Sequence, residues 1–292
     1  MRVLIFGANG MLGHKVVQVL GQRFDVWGTI RDEFAGVERF GIYTRERIIE
    51  GVDVTDVQAV RHAVETAMPD VVINAAGVVK QVPESNDFVR TLKINSLFPQ
   101  LLADLSNEFS FRLITISTDC VFSGDKGNYS ETDTPDSRSF YGISKLLGEV
   151  KHDNCLTIRT SIIGRELATS HSLVEWFLSN RGEDVKGYVD AVYSGFPTIV
   201  LAEIIAEIIS GHPQLHGVLH VSSDPINKFE LLKLLDQHYG AKVNIEPSNE
   251  RKIDRSLDSS LFRKTLNWTP PSWEKMIEQM AADTTPYDKW KK

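Results

Sequence analysis

The sequence predicts an α/β protein: a doubly wound parallel sheet followed by a smaller C-terminal lobe. Three observations carry that expectation. Short apolar runs alternate with longer amphipathic ones through the first half of the chain. A glycine-rich turn joins the first strand-like run to the first helical one. After about residue 160 the alternation gives way to helical stretches parted by loops rich in Gly and Pro. The expected division is 1–160 for the sheet domain and 161–292 mainly for the lobe, with some later segments returning to the sheet.

Taken in order, "RVLIF" (2–6), "DVWGTI" (25–30), "DVVINAAG" (70–77) and "RLITIST" (112–118) are short apolar runs bounded by turn residues, as buried strands are. Between them "MLGHKVVQVLGQRF", "TDVQAVRHAVETAM" and "VRTLKINSLFPQLLADLSNEF" carry the i, i+3, i+4 apolar spacing of amphipathic helices. Thr55 and Asp56 offer a cap for the second of these. Strands alternating with helices imply right-handed crossovers and a parallel sheet. In the second half, helices are expected at 171–179, 198–210 and 228–239, and "GVLHVSS" reads as a strand. The tail "TTPYDKWKK" is expected to be loosely held.

Composition narrows the function class. With 42% hydrophobic and 24% charged residues in 292, the chain is an ordinary globular protein. A formal net charge of -7 argues against nucleic acid or an anionic membrane as the main partner. "TIVLAEIIAEII" carries Glu203 and Glu207 and is too short to span a bilayer, and no signal-peptide pattern follows Met1, so a cytoplasmic location is expected. Cys120 and Cys155 fit neither a disulfide framework nor a CxxC motif and read as buried free thiols. His212, His216 and His220 recur every four residues, but Pro213 and Gly217 interrupt the helix that would align them, so no metal site is expected.

Gly7, Gly10 and Gly13 in "FGANGMLGHK" follow a strand and open a helix, the order a Rossmann-type dinucleotide site requires. The first glycine permits the tight turn, the second lets a pyrophosphate approach the backbone, and the third lets helix and strand pack closely. Asn9, Met11 and Leu12 lie in the same turn, whose helix N-terminus offers free N–H groups to phosphates. At the end of the second strand, "TIRDE" puts Arg31 ahead of Asp32 and Glu33, which tilts the choice toward NADPH, with NADH the alternative. Asp53, after a third short strand in "GVDVTD", and its neighbour Val54 are placed to meet the adenine, although helix capping would explain an acid there equally well.

Tyr141 and Lys145 in "YGISK" stand one helical turn apart and leave the same helix face. An ammonium beside a phenol lowers its pKa from about 10 by favouring the phenolate. "STD" at 117–119 ends the preceding strand and points toward the same carboxyl edge.

"GANGMLG", "NAAG" (74–77), "INSLFP" (94–99), "STDCVFSG" (117–124), "YGISKLLGE" (141–149), "IRTS" (158–161) and "GFPT" (195–198) together resemble an extended short-chain dehydrogenase/reductase, and more narrowly the dTDP-4-dehydrorhamnose reductase family. The resemblance implies an NAD(P)H-dependent reductase of the C4 carbonyl of a nucleotide-linked 4-keto-6-deoxy sugar, serving surface polysaccharide synthesis. Tyr141 would protonate the nascent alkoxide, Lys145 would hold the nicotinamide ribose and depress the Tyr141 pKa, and Thr118 would hydrogen-bond the substrate oxygen, with Ser117 and Asp119 as neighbours able to contribute. Asn74, Ala75, Ala76 and Gly77 match a backbone-lined loop over the cofactor, and Asn95 an asparagine that supports the lysine. Arg159, Thr160, Pro197 and Thr198 would wall the pocket.

The chain departs from the family where "GVVKQVPESNDF" replaces a "VDKAE"-like stretch and turns Lys80 and Gln81 toward the sugar. A dTDP-6-deoxy-sugar and a UDP-2-acetamido-2,6-dideoxy-sugar both stay open. The family's metal-assisted dimerisation maps onto no particular acids, so no metal is expected, and room is left for a homodimer. Two other readings stay open as well: a cofactor-retaining nucleotide-sugar epimerase or dehydratase, and a non-catalytic subunit like the regulatory one of methionine adenosyltransferase.

Overall fold

The computed structural model describes residues 1–79 and 87–291. Its centre is a parallel seven-stranded sheet. β1 is Arg2–Phe6, β2 Asp25–Thr29, β3 Ile48–Ile49, β4 Val71–Asn74, β5 Arg112–Thr118 and β6 Cys155–Thr160. The seventh strand, Gly217–His220, comes from the second half of the chain and pairs with β6, so that His220 stands beside Arg159. In space the order runs from that strand through β6, β5, β4, β1 and β2 to β3. The chain steps outward from β1 to β2 and β3, then crosses back to β4 on the other side of β1. The carboxyl ends of β1 and β4 therefore flank a topological switch point, where open α/β sheets bind ligands.

The alternation within β1 explains the two-sided winding. Val3 and Ile5 face one apolar cluster with α1 (Gly13–Leu20) and the Thr198–Gly211 helix, whereas Leu4 and Phe6 face another with the Val57–Ala67 and Phe98–Phe109 helices. All four side chains are fully buried. Central parallel strands lie between two helical layers, which is why they read as continuous apolar runs.

Three expectations need correcting. The third strand is Ile48–Ile49, ahead of the "GVDVTD" segment rather than within it. The long helix expected over 89–109 is three pieces: Phe88–Leu92, a π turn at Lys93–Leu97, and Phe98–Phe109. Pro99 in the first turn of the last piece has no N–H to give, and the extra residue of the π turn accommodates it there. The C-terminal tail is not loose: Tyr287 is 3% exposed, Lys15 forms an ion pair with Asp283, and Trp290 packs edge-on to Phe40 at 5.0 Å. Its periodicity is too short to show in sequence, but its aromatic rings find buried partners on and beside α1.

Candidate active site

The glycine turn sits at the carboxyl end of β1. Gly7 has φ +79°, and a Cβ there would stand 2.9 Å from the backbone nitrogen of Ala76 on the neighbouring β4 loop. Any side chain would push the two loops apart. A Cβ on Gly13 would lie 2.0 Å from the Gly7 carbonyl oxygen, so the third glycine lets α1 start directly against the turn. Asn9 and Gly10 are exposed, Met11 is half-buried and Leu12 buried. The Gly10 amide donates to the Gly7 carbonyl at 3.0 Å, and α1 begins without a side-chain cap. A backbone that approaches closely, a positive-φ glycine and an uncapped helix N-terminus fit a dinucleotide pyrophosphate. Tyr43, which sequence reasoning missed, donates its hydroxyl to the Ala8 carbonyl at 2.9 Å and pins the turn from behind.

Just after β2, Arg31 is exposed and meets Asp32 only at 3.7 Å, both side chains being more than half exposed. Such a loose surface pair contributes little and leaves the guanidinium free to move. The Asp53 carboxylate is engaged within the protein: it accepts from the Thr55 amide at 2.9 Å and from Arg90 at 3.1 Å. Val54, next in line, is half-buried.

The β4 loop is shaped by buried asparagines. Asn74 donates to the Thr115 hydroxyl at 3.2 Å and accepts from the Ala76 amide at 3.2 Å, turning the chain through the half-buried Ala75 and Ala76 to the exposed Gly77. Asn95, in the π turn, exchanges two hydrogen bonds with the Val78 backbone at 2.9 and 3.0 Å and donates to the Ser144 hydroxyl at 3.1 Å. It thus ties the β4 loop to the Phe140–Leu147 helix. A Cβ on Gly77 would stand 3.4 Å from Asn95 Oδ1 and 3.8 Å from Lys145 Nζ.

Tyr141 and Lys145 lie on the Phe140–Leu147 helix, capped by the Ser139 hydroxyl, which accepts from the Gly142 amide at 3.1 Å. A Cβ on Gly142 would come within 2.1 Å of the Cys120 carbonyl oxygen, so this helix packs directly on the turn after β5. That contact brings Tyr141 to Thr118, whose hydroxyl acts on the phenol by hydrogen bonding. Thr118 also accepts from the Cys120 amide at 3.1 Å and donates to Asp119 at 3.2 Å. Asp119 is buried, and burial pushes its carboxyl up.

Lys145 is 8% exposed and donates from Nζ to the Ile116 carbonyl at 2.7 Å. Burial pulls its ammonium down to about 8, with Glu149 acting in the opposite sense. The expected coupling of Lys145 to Tyr141 is not what this structure contains. Burial pushes the phenol above its ordinary range, Cys120 and Asp119 push the same way, the Thr118 hydrogen bond opposes them, and Lys145 is not among the groups acting on it. The lysine faces the β5 backbone and Gly77 instead. Tyr141 is consequently a neutral phenol at pH 7, the form that can give a proton.

Other expected wall residues sit elsewhere. Adjacent strand residues face opposite sides of a sheet, so Ser117 points away from Thr118 and donates to Glu149 at 2.8 Å. Arg159 grips the same carboxylate through Nε and Nη2, each at 2.7 Å, and meets His220 at 3.2 Å. This buried network lies behind the strand end. Thr198 is 2% exposed beneath Gly164, Pro197 is buried in a two-residue strand, and the Thr160 hydroxyl meets the Ser161 carbonyl at 3.4 Å. Lys80 and Gln81 lie outside the described residues. Of the three histidines, His212 caps the Thr198–Gly211 helix, His216 is exposed in a loop and His220 is buried in the seventh strand, so they share no helix face. Among the described residues no group of three or more His, Cys, Asp or Glu side chains could hold a metal ion.

A glycine turn at the carboxyl end of β1 in a parallel sheet with a topological switch point, and a Thr, Tyr and Lys at the end of β5, define the class: a Rossmann-type α/β protein of the extended dehydrogenase/reductase kind. Residues 1–285 match the family model described as RmlD substrate binding domain, and the chain belongs to that family. It is 30% identical to a probable dTDP-4,6-dihydroxy-2-methyloxan-3-one 4-ketoreductase of Streptomyces antibioticus, over 76% of this chain and 72% of that one. It is 24% identical to a dTDP-4-dehydrorhamnose reductase of Aggregatibacter actinomycetemcomitans, over 96% and 98%. The solved dTDP-4-dehydrorhamnose reductase of Bacillus anthracis, in complex with NADP, superposes with a TM-score of 0.78 at 25% identity, covering 96% of this chain and 98% of that one.

Proposed function

We propose that this protein is an NADPH-dependent reductase of the C4 carbonyl of a nucleotide-linked 4-keto-6-deoxy sugar, in the supply of surface polysaccharide precursors. The observation that carries this reading is the close packing of the Phe140–Leu147 helix on the turn after β5, through Gly142 on the Cys120 carbonyl, which sets Tyr141 and Lys145 at the strand end with Lys145 beside Gly77. Gly7, Gly10 and Gly13 with the Asn9–Leu12 backbone would hold the pyrophosphate, Arg31 the 2′-phosphate, Asp53 and Val54 the adenine end, and Asn74–Gly77 the nicotinamide side. The bound dinucleotide supplies the hydride. Tyr141 gives its phenolic proton to the C4 oxygen, and the Thr118 hydroxyl turns its one hydrogen from Asp119 to that same oxygen as negative charge develops on it. The ammonium of Lys145, held at the Ile116 carbonyl beside Gly77, would take the nicotinamide ribose hydroxyls, and Asn95 fixes the helix that carries Tyr141 and Lys145. Asp119 and Lys80 are assigned to the sugar. Ser117 and Thr198 act behind the pocket wall rather than in it.

The test is direct: purified protein, supplied with dTDP-4-keto-6-deoxyhexose, a 3,5-epimerase and NADPH, should consume the cofactor and form a reduced nucleotide sugar. No consumption with this substrate or its UDP-2-acetamido analogue would sink the reading. Changing Arg31→Ala should raise KM for NADPH about tenfold and leave KM for NADH within twofold. Equal effects on both cofactors would remove Arg31 from the 2′-phosphate site. No described helix is long and apolar enough to cross a membrane. The proposal places the protein in the cytoplasm, where nucleotide sugars and NADPH are available.

A homodimer belongs to the same proposal. Phe88, Val89, Leu97, Ile143 and Leu147 are large exposed apolar side chains on adjoining helices, with Phe88 against Phe140 at 4.5 Å. They form a face suited to a second copy. Leu147→Glu should shift the sedimentation mass to a monomer, and a wild-type chain already monomeric at micromolar concentration would refute it.

A further inference from the structure

We propose that His14 and Tyr287 are positioning residues for the dinucleotide site, through which the C-terminal segment sets the orientation of the phosphate-binding turn. This rests on the turn binding a dinucleotide, as argued above.

The geometry begins at the Gly10 carbonyl. It accepts twice from His14: from the backbone amide at 3.1 Å and from ring Nδ1 at 2.9 Å. A carbonyl oxygen only accepts, so Nδ1 carries the proton. Burial pulls the His14 pKa down to about 4, so the ring is neutral near pH 7 and Nε2 is an acceptor. The Tyr287 hydroxyl, 2.8 Å from Nε2, must therefore donate to it. The Asp283 carboxylate, at 3.1 Å, is a second acceptor for that same hydroxyl proton and also pairs with the Lys15 ammonium, which donates to Gln18 at 2.7 Å and Thr285 at 2.9 Å. The Tyr287 ring stands edge-on to His14 at 5.6 Å with the Lys15 ammonium 5.3 Å from its centre. His14 is fully buried, Tyr287 is 3% exposed and Lys15 4%.

The consequence for a ligand follows from peptide planarity. In a trans peptide the C=O of Gly10 and the N–H of Met11 point in opposite directions. Holding the carbonyl inward on His14 turns the Met11 N–H outward, toward the exposed side of the turn where a pyrophosphate would approach. Without the ring, only the His14 backbone amide holds that peptide plane, and the anion donor is aimed less firmly at the site. The tyrosine fixes the tautomer that makes the grip. Residues at opposite ends of the chain thus serve one peptide unit.

The experiment uses the full-length protein and two variants, Tyr287→Phe and His14→Leu. Tyr287→Phe keeps the ring packing and removes only the hydroxyl. Binding of NADPH is followed by fluorescence titration, and adenosine 2′-monophosphate, which lacks a pyrophosphate, is measured as a competitor. The expected result is a Kd for NADPH raised about threefold by Tyr287→Phe and tenfold or more by His14→Leu. The Kd of adenosine 2′-monophosphate and kcat at saturating NADPH should stay within twofold of wild type. Unchanged NADPH affinity in both variants overturns the proposal. So does an equal loss for both probes accompanied by a fall in Tm, since that marks a merely structural role. A wild-type protein that binds neither NADPH nor NADH fails earlier, on the functional reading itself, and is distinguishable on that ground.

Discussion

Tyr141→Phe should lower kcat by about 10²- to 10⁴-fold while leaving the Kd for NADPH within twofold, the range by which a positioned general acid accelerates proton transfer. The change removes one oxygen and keeps the ring. Thr118 would still donate to the substrate oxygen, so a residual rate above solution chemistry is expected. The environment of the phenol makes the prediction sharper. Burial, with Cys120 and Asp119, holds Tyr141 above its ordinary pKa, so the acid form persists through neutral pH and its own ionisation should not limit the rate there. The basic limb should instead follow Lys145, whose ammonium burial brings to about 8. The kcat/KM for NADPH should be level from about pH 6 to 7.5 and decline as pH rises through 8, because the neutral amine loses the charge-assisted hydrogen bond that would hold the nicotinamide ribose. A Tyr141→Phe enzyme retaining a tenth of wild-type kcat would remove the phenol from the chemistry. Steady-state rates at limiting and at saturating NADPH across pH, for wild type and Tyr141→Phe, decide both points.

The sheet and the glycine turn were legible because each rests on local signals. Central parallel strands must be apolar on both faces, and "RVLIF" announces this in five residues. Gly7 and Gly13 are required by a positive φ and by a 2.0 Å approach that no other residue tolerates, so their spacing carries the turn. Thr118, Tyr141 and Lys145 were legible as a set through the family resemblance rather than through spacing alone. What sequence reasoning missed depends on long-range packing. Asn95 was named as a support for the lysine, but the π turn through which it ties the β4 loop to the Phe140–Leu147 helix was not foreseen, because nothing in its local pattern signals the extra residue. Ser117 was grouped with Thr118 because they are neighbours, yet strand alternation sends it to Glu149. Tyr287 reaches His14 across 273 positions, and its segment has too few residues to show a period. The phenol–lysine coupling failed for an electrostatic reason: a shared helix face does not make two groups partners when a backbone carbonyl is better placed to take the ammonium.

Stability should fall steeply as pH drops from about 6.5 toward 4, and two histidines are responsible. Burial lowers the folded-state pKa of both His14 and His220 from 6.5 to about 4, and at His220 the neighbouring Arg159 adds to the effect. The sign follows from proton counting. Between pH 6.5 and 4 the unfolded chain binds protons on these imidazoles and the folded chain does not, so acid favours unfolding and stability rises with pH in that window. A shift of about 2.5 pH units at about 1.4 kcal/mol each gives between about 3 and 4 kcal/mol per histidine, or about 7 kcal/mol when both are protonated in the unfolded state and neutral in the fold. That is comparable with the whole stability of a typical domain, about 5–15 kcal/mol. Asp119 works in the opposite sense: burial raises its folded pKa, so the fold takes up that proton before the unfolded chain does and recovers part of the loss. Both histidines are fully buried, so solvent screening does not dilute their contribution. His220 accepts at Nε2 from the Arg159 guanidinium while its Nδ1 donates to the Tyr129 carbonyl at 2.9 Å, which puts a cation rather than an acceptor where its second proton would go. Urea unfolding followed by tryptophan fluorescence at pH 7, 6 and 5 should show the midpoint falling at each step. His14→Gln, lacking one of the two titrating groups, should show about half the slope. A midpoint unchanged between pH 7 and 5 would mean that one or both rings accept a proton within the fold.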